Sequence, residues 1–260
     1  MYPVLFHLGK IPVHSYYLIW TAALCLALEW TRHRAESAYG MGAARVSKVL
    51  FWGFIGMMIG ARLGGYLDFW EVYAADPSRI LRFWEGGMSS MTAFLGGGLT
   101  ALFLLRREGS PIWPLAEAAA LPAAALIFVG RWGCFLNGCC YGFVTGHPFG
   151  MHFPFDPPGL FRHPSQLYES LGAGLILFAL FLAERVWPPL ERRARDGALL
   201  WPLFMIFYGG MRFLLDFLRE GDRIMGLRTG QLVGGAAFLV GLVWLVVSAV
   251  SSRRRGKVLV

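Results

Sequence analysis

Charge is what this 260-residue sequence has least of: Asp, Glu, Lys and Arg together make up 15% of it, where a soluble domain carries about a quarter. Apolar residues reach 56% and gather in long blocks rather than amphipathic stripes. A water-soluble enzyme, a coiled coil and a disordered chain are therefore excluded. Cysteine is scarce as well, since Cys25, Cys134, Cys139 and Cys140 are too few and too clustered for a disulfide framework. No aromatic-interleaved basic patch or recognisable motif turns the net charge of +8 into a signal for nucleic acid. No small-residue cleavage site follows the first apolar run, which His7, Lys10 and Pro12 precede, so the first span is expected to stay in the mature protein. Internal repeats and low-complexity linkers are absent too.

What is present is a series of membrane spans. A helix crossing the hydrocarbon core takes about 20 mostly apolar residues, and seven stretches qualify, near 14–30, 48–68, 88–105, 112–131, 167–184, 198–217 and 229–250. The expected fold is all-α, a polytopic membrane protein with about seven transmembrane helices in one transmembrane domain over 1–260. Lys and Arg set its orientation. With the N-terminus outside, Arg32, Arg34, Arg45, Lys48, Arg106, Arg107, Arg185, Arg192, Arg193, Arg195, Arg253, Arg254, Arg255 and Lys257 fall in the cytoplasm, against Lys10, Arg79, Arg82, Arg162, Arg219, Arg223 and Arg228 opposite. N-out/C-in follows. Residues 69–87, with Trp70 and Trp84, read as an external interfacial arm, and the Gly- and Pro-rich residues 132–166 as an external irregular segment.

Ionisable residues within spans are expensive and mark functional sites by default. They are Arg62, Glu117, Arg131, Glu169, Arg212 and Asp216. A guanidinium grips phosphate oxygens with a planar fork, and in a bilayer the available phosphate is a lipid headgroup. Gly130, Gly133, Gly138 and Gly142 flank Arg131, where backbone amides could approach such a phosphate. The bland alternatives are ion pairs between helices, snorkelling and simple loop flexibility. His163-Pro164-Ser165-Gln166-Leu167-Tyr168-Glu169 opens the fifth span with helix-start grammar and concentrates hydrogen-bonding side chains at the membrane surface. An N-cap accounts for Ser165, and an interfacial ring for Tyr168, but neither accounts for His163, Gln166 and Glu169 together.

Those two stretches resemble the bacterial prolipoprotein diacylglyceryl transferases. Gly130, Arg131, Gly133, Phe135, Asn137 and Gly142 match that family's glycine-arginine signature, and the run from His163 to Glu169 matches at every position. His14-Ser15-Tyr16, Gly60-Ala61-Arg62, Gly86-Gly87-Met88-Ser89, Tyr208-Gly209, Arg212 and Arg219 extend the likeness over about residues 12–250 in the family's order. Cys134 and Cys139 stand where the signature has Asn and Glu, and Met91-Thr92-Ala93 where the family has His-Gly-Gly.

The resemblance implies an enzyme of the bacterial inner membrane. It would move the diacylglyceryl group of phosphatidylglycerol onto the lipobox cysteine thiol of a preprolipoprotein, releasing glycerol 1-phosphate with no metal or organic cofactor. Its expected partners are phosphatidylglycerol, the lipobox segment and the bilayer. The catalytic group implied is Arg131, Arg212, Tyr16, His163 and Glu169. Arg131 and Arg212 would hold the phosphate, Asn137 and Tyr16 would donate to it, and His163 or His14 would take the thiol proton. Substrate contacts would come from Arg62, Asn137, Gly133, Gly142, Gln166, Tyr168, Glu117 and Arg219. Two alternatives stay open: a redox or soft-metal protein built on Cys134, Cys139 and Cys140, and a phospholipid-binding homologue without transfer activity. Against the metal reading, small cysteines can simply fill space between helices, and the spacing is not C-x-x-C.

Overall fold

Where no water reaches the backbone, a chain must satisfy its own amides and carbonyls, and helices do so within one segment. The computed structural model describes residues 1–68, 70–82, 87–186, 198–220, 223–224 and 226–256. Trp84, Gly86, Arg192, Arg193, Arg195 and Lys257 of the sequence reading lie outside them. The helices are α1 (Ser15–Ser37), α2 (Ala43–Asp68), α3 (Trp70–Ala75), α4 (Ser90–Arg107), α5 (Trp113–Asn137), α6 (Ser165–Val186), α7 (Leu200–Leu215) and α8 (Thr229–Gly256). All seven expected stretches are helical. Five of the helices, α2, α5, α6, α8 and α7 with its continuation to Leu218, are long and apolar enough to cross a membrane. The chain is an all-α, multi-pass membrane protein. The only strands among the described residues are two short hairpins, β1 (Val4–Leu8) with β2 (Ile11–His14), and β3 (Arg223–Ile224) with β4 (Leu227–Arg228).

The chain forms two compact units, one made of 35–115 and the other of 1–34 with 116–260. In the first, α2 and α4 meet through glycine. Gly56, Gly60 and Gly64 recur every fourth residue on α2, and Thr92, Gly96 and Thr100 do the same on α4. A methyl on Gly60 would lie 3.2 Å from the Gly96 Cα, so the backbones touch as in small-residue membrane packing. Here α3 and the 3-10 turn Pro77–Leu81 occupy part of the expected arm.

In the second unit small residues again bring helices together. Ala120, Ala124 and Ile127 of α5 pack with Ala173 and Leu180 of α6 and Phe204 of α7. Pro122 sits inside α5 and cannot donate to the Ala118 carbonyl one turn back. Arg34 of α1 does so instead, Nε to Ala118 O at 3.1 Å, while its Nη2 is 2.7 Å from Glu184 of α6. A residue counted among the orientation signals thus also repairs a proline break.

The helix α5 runs six residues past the expected end of its span. Gly130 and Gly133 are not breakers there: a methyl on Gly130 would meet the Trp20 indole at 2.7 Å, so these glycines admit α1. Gly138, at φ +72°, ends the helix with paired bonds, its own N–H to Phe135 O and that of Cys139 to Cys134 O, both 3.1 Å. This is the Schellman arrangement that a left-handed glycine makes. The irregular segment therefore begins at 138. Its strands of chain pair backbone to backbone, with Gly142 N to His163 O 2.8 Å and Thr145 N to Phe161 O 2.9 Å.

Candidate anion site around Glu169

The first turns of α6 bury one polar face, Ser165, Gln166, Glu169 and Ser170. Ser165 Oγ donates to Cys140 O at 2.8 Å, Gln166 Nε2 to Cys139 O, and Ser170 Oγ to Phe128 O at 2.8 Å. The end of α5 and the residues after it are thus strapped to the start of α6. Glu169, between these straps, has no exposed side-chain surface and receives three guanidiniums. Arg212 of α7 lies 2.7 Å and Arg219 2.9 Å from its Oε1, and Arg131 of α5 pairs with its Oε2.

A second carboxylate extends the cluster. Asp216 Oδ1 is 3.0 Å from Arg212, and the Asp216 carbonyl accepts from buried Arg228 at 2.7 Å. Its carboxylate lies against Gly230, where a methyl would meet Cγ at 2.6 Å, so it faces the N-terminal turn of α8, where a negative charge is stabilised. Among the described residues three guanidiniums therefore share two carboxylates, and a fourth, Arg228, holds a backbone carbonyl beside them. Buried cations in excess call for a further anion. Arg131, Arg212 and Arg219 keep 16%, 19% and 15% of their side-chain surface open, so their free edges are reachable while Glu169 is not. Three thiols border this cluster: Cys134, whose Sγ is 4.0 Å from Arg131 Nη1, and Cys139 with Cys140. Hydrogen bonds from Cys134 and Cys139, and then the charges of Arg131 and Arg219, hold the Cys140 thiol below its ordinary range.

A reachable arginine cluster built on a buried acid is the arrangement a phosphate group needs, and its sequence has relatives. Residues 3–247 match the family model described as prolipoprotein diacylglyceryl transferase. Phosphatidylglycerol–prolipoprotein diacylglyceryl transferases of Geobacter sulfurreducens and Acinetobacter baumannii are 36% and 32% identical, over 98% and 94% of this chain and 97% and 91% of theirs. That of a Wolbachia strain is 34% identical over 92% of both. The chain belongs to this transferase family.

Within that family assignment, the expected site residues separate. Arg131, Arg212, Arg219 and Glu169 converge, with Gln166 and Asn137 on the adjoining turns. Tyr16 lies within electrostatic reach of Arg131 and all three thiols. His163 and Tyr168 pair with one another, Nδ1 to hydroxyl 3.4 Å, and His14 packs edge-on against Tyr17.

Four of the expected residues are engaged by the fold itself. Gly133 and Gly142 do not offer free amides to a phosphate: Gly133 lies within α5 facing the Tyr16 carbonyl, and the Gly142 N–H is spent on His163 O. The Glu117 carboxylate caps α7 by accepting from the N–H groups of Leu199, Leu200 and Trp201 at 2.9, 3.0 and 2.9 Å. The next residue is Pro202, which has no N–H, so the first turn of α7 is fully accounted for. Arg62, in the other unit, donates to Ile80 O at 2.8 Å, to Arg82 O at 2.9 Å and to Arg79 O, beneath the Tyr73 ring.

Sequence reasoning missed Arg228, which it counted as an orientation signal. The only available hint was the position of Arg228 one residue before the last apolar helix.

Proposed function

We infer that this protein transfers the diacylglyceryl group of phosphatidylglycerol to the lipobox cysteine of a preprolipoprotein in the bacterial inner membrane. The observation that carries this reading is the convergence of Arg131, Arg212 and Arg219 on Glu169, with guanidinium edges left over and thiols alongside. In the reaction the lipobox sulfur attacks the glyceryl carbon that bears the phosphate. A C–S bond forms, the C–O bond breaks, its electron pair goes to the phosphate oxygen, and glycerol 1-phosphate leaves.

A phosphodiester with one negative charge becomes a monoester approaching two. Cations fixed in advance around that position stabilise the developing charge without reorganisation, and a bilayer makes each contact stronger than it would be in water. Glu169 serves as a positioning residue, because three guanidiniums already occupy it. Asn137 and Tyr16 supply neutral donors, and Gln166 holds the thiol-bearing turn. Neither Glu169 nor Asp216 is free to take the thiol proton, which falls to His163 beside Tyr168.

The test is complementation. In cells depleted of their own transferase, expression of this chain is expected to restore the diacylglyceryl mass increment on a reporter lipoprotein, seen by gel mobility and mass spectrometry. Membrane insertion without that increment would reject the assignment.

A further inference from the structure

The three thiols beside Arg131 are arranged for more than filling space. The Sγ atoms of Cys134, Cys139 and Cys140 all lie within 4.8 Å of one another, with Cys139 and Cys140 3.6 Å apart, and none is in a disulfide. A tetrahedral zinc with Zn–S near 2.3 Å sets its sulfurs about 3.8 Å apart. Neighbouring residues on an extended chain point to opposite sides, yet here two adjacent thiols meet. They do so because Cys140 takes φ +65°, the one non-glycine residue with a left-handed φ among the described residues. Outliers of this kind concentrate at functional sites.

Buried side chains enforce the conformation, Ser165 Oγ holding Cys140 O and Gln166 Nε2 holding Cys139 O. Two donors face the Cys134 sulfur. Trp20 Nε1 donates to Cys134 Sγ at 3.4 Å, and Arg131 stands 4.0 Å away. These are outer contacts of the kind that orient and balance metal-bound sulfur.

Three protein ligands leave a tetrahedral ion one open position, the mark of a catalytic rather than structural zinc. A free thiol has a pKa of about 8.5, and a thiol bound to zinc is deprotonated outright. We propose that Cys134, Cys139 and Cys140 bind a zinc ion whose fourth position takes the lipobox sulfur, delivering it as a thiolate beside the arginine-held phosphate. The proposal rests on the transferase reading above. On coordination the thiol proton passes to His163. The zinc-bound sulfur then forms the C–S bond as the C–O electron pair moves to phosphate, and the thioether product, a weaker ligand than thiolate, departs.

The experiment uses the full chain purified in detergent. Elemental analysis is expected to find one zinc per protein, lost in Cys139→Ser and kept in Cys140→His, which retains a ligand. Cys25→Ser, at an exposed position on α1, is the control and keeps its zinc. Cobalt(II) loaded into the wild type is expected to give a thiolate charge-transfer band that shifts when a lipobox peptide is added and not when its cysteine is replaced by serine. Removing the metal should lower peptide lipidation by roughly ten- to a hundredfold, with zinc restoring it. Lipidation by zinc-free protein at full rate would overturn the metal site while leaving the transferase reading intact. A cobalt band indifferent to the peptide would overturn the open fourth position. A peptide-shifted band in a protein that lipidates nothing would instead sink the transferase reading and leave the thiol-binding metal standing. The cobalt measurements need only the wild type, so misfolding of a variant does not blunt them.

Discussion

Arg62 and Arg212 are both arginines deep in apolar helices, and their sequences give equal reason to suspect each, yet the two regions use them in opposite ways. Arg62 donates to carbonyls of one short stretch, Arg79, Ile80 and Arg82, which its fork ties to α2, and lies against the Tyr73 ring. Around Arg212 the partners are two carboxylates, Asp216 and Glu169, the second of which Arg131 and Arg219 also claim. The first arrangement uses its fork to brace a neighbouring stretch of backbone. The second accumulates charge beyond what its acids neutralise and leaves edges open. Cost of burial identifies a residue that matters, whereas the nature of its partners decides whether it matters to the fold or to a ligand.

The largest effect expected from that contrast is on catalysis. Arg212→Ala should lower the initial rate of lipobox-peptide modification on phosphatidylglycerol vesicles by about 10²–10³-fold, the usual cost of losing one fixed donor to developing charge. Arg212→Lys should recover little, since an ammonium lacks the fork that meets Glu169 and Asp216 together. The contrast breaks if Arg62→Ala raises the KM for phosphatidylglycerol as strongly as Arg212→Ala lowers the rate.

Next in size is the structural counterpart. Arg62→Ala removes charge-assisted bonds to three carbonyls and should cost about 3 kcal/mol locally. Its signature is faster tryptic cleavage after Arg79 and Arg82, read by mass spectrometry in detergent. Smaller again is Glu117→Ala, which orphans the N–H groups of Leu199, Leu200 and Trp201 and should lower stability by about 2 kcal/mol, the upper range for losing a helix cap. The thermal midpoint should fall while the KM for phosphatidylglycerol stays put.

How much of this could be seen in the sequence depends on the range of the interaction. The helices were legible because an apolar run is a local property, and the run from His163 to Glu169 stood out for the same reason. The hub at Glu169 was half visible: its acid and Arg131, Arg212 and Arg219 were each singled out, but they come from α6, from α5 and from α7 with the turn after it, and nothing local says that they meet. The partners of Glu117 and Arg62 could not be read, because backbone N–H and carbonyl groups leave no trace in residue identity. The neighbours of Gly133 and Gly142 were hidden for a related cause, since glycine marks close approach without saying whether a helix or a ligand approaches. The overrun of α5 to Asn137 was hidden by the same glycines, and Gly138 could be told from Gly130 only by its left-handed φ.

The smallest effect belongs to a third set of guanidinium and ammonium contacts, made in the open. Glu108, just past α4, takes Lys48 and Arg45 of α2, each at 2.9 Å. Its carboxyl is held below the ordinary range chiefly by the hydrogen bond from Lys48. A carboxyl depressed in the folded state stabilises above its unfolded pKa, and that contribution is lost as pH falls through the folded value. The thermal midpoint of the wild type should therefore slip slightly as pH is taken below the ordinary carboxylate range, and the midpoint of Glu108→Gln should lack that part of the slope. Because these side chains are largely in water, 0.5 M salt, far inside the screening regime of about 10 Å at 0.1 M, should erase the difference between the two proteins. The same salt should leave the effect of Arg212→Ala on the rate nearly untouched, since pairs withdrawn from solvent are poorly screened. The chemistry of guanidinium and carboxylate is common to both places, so a salt-sensitive Arg212 effect would mean that the cluster around Glu169 is as wet as the surface, and the argument for a preorganised anion site would fail with it.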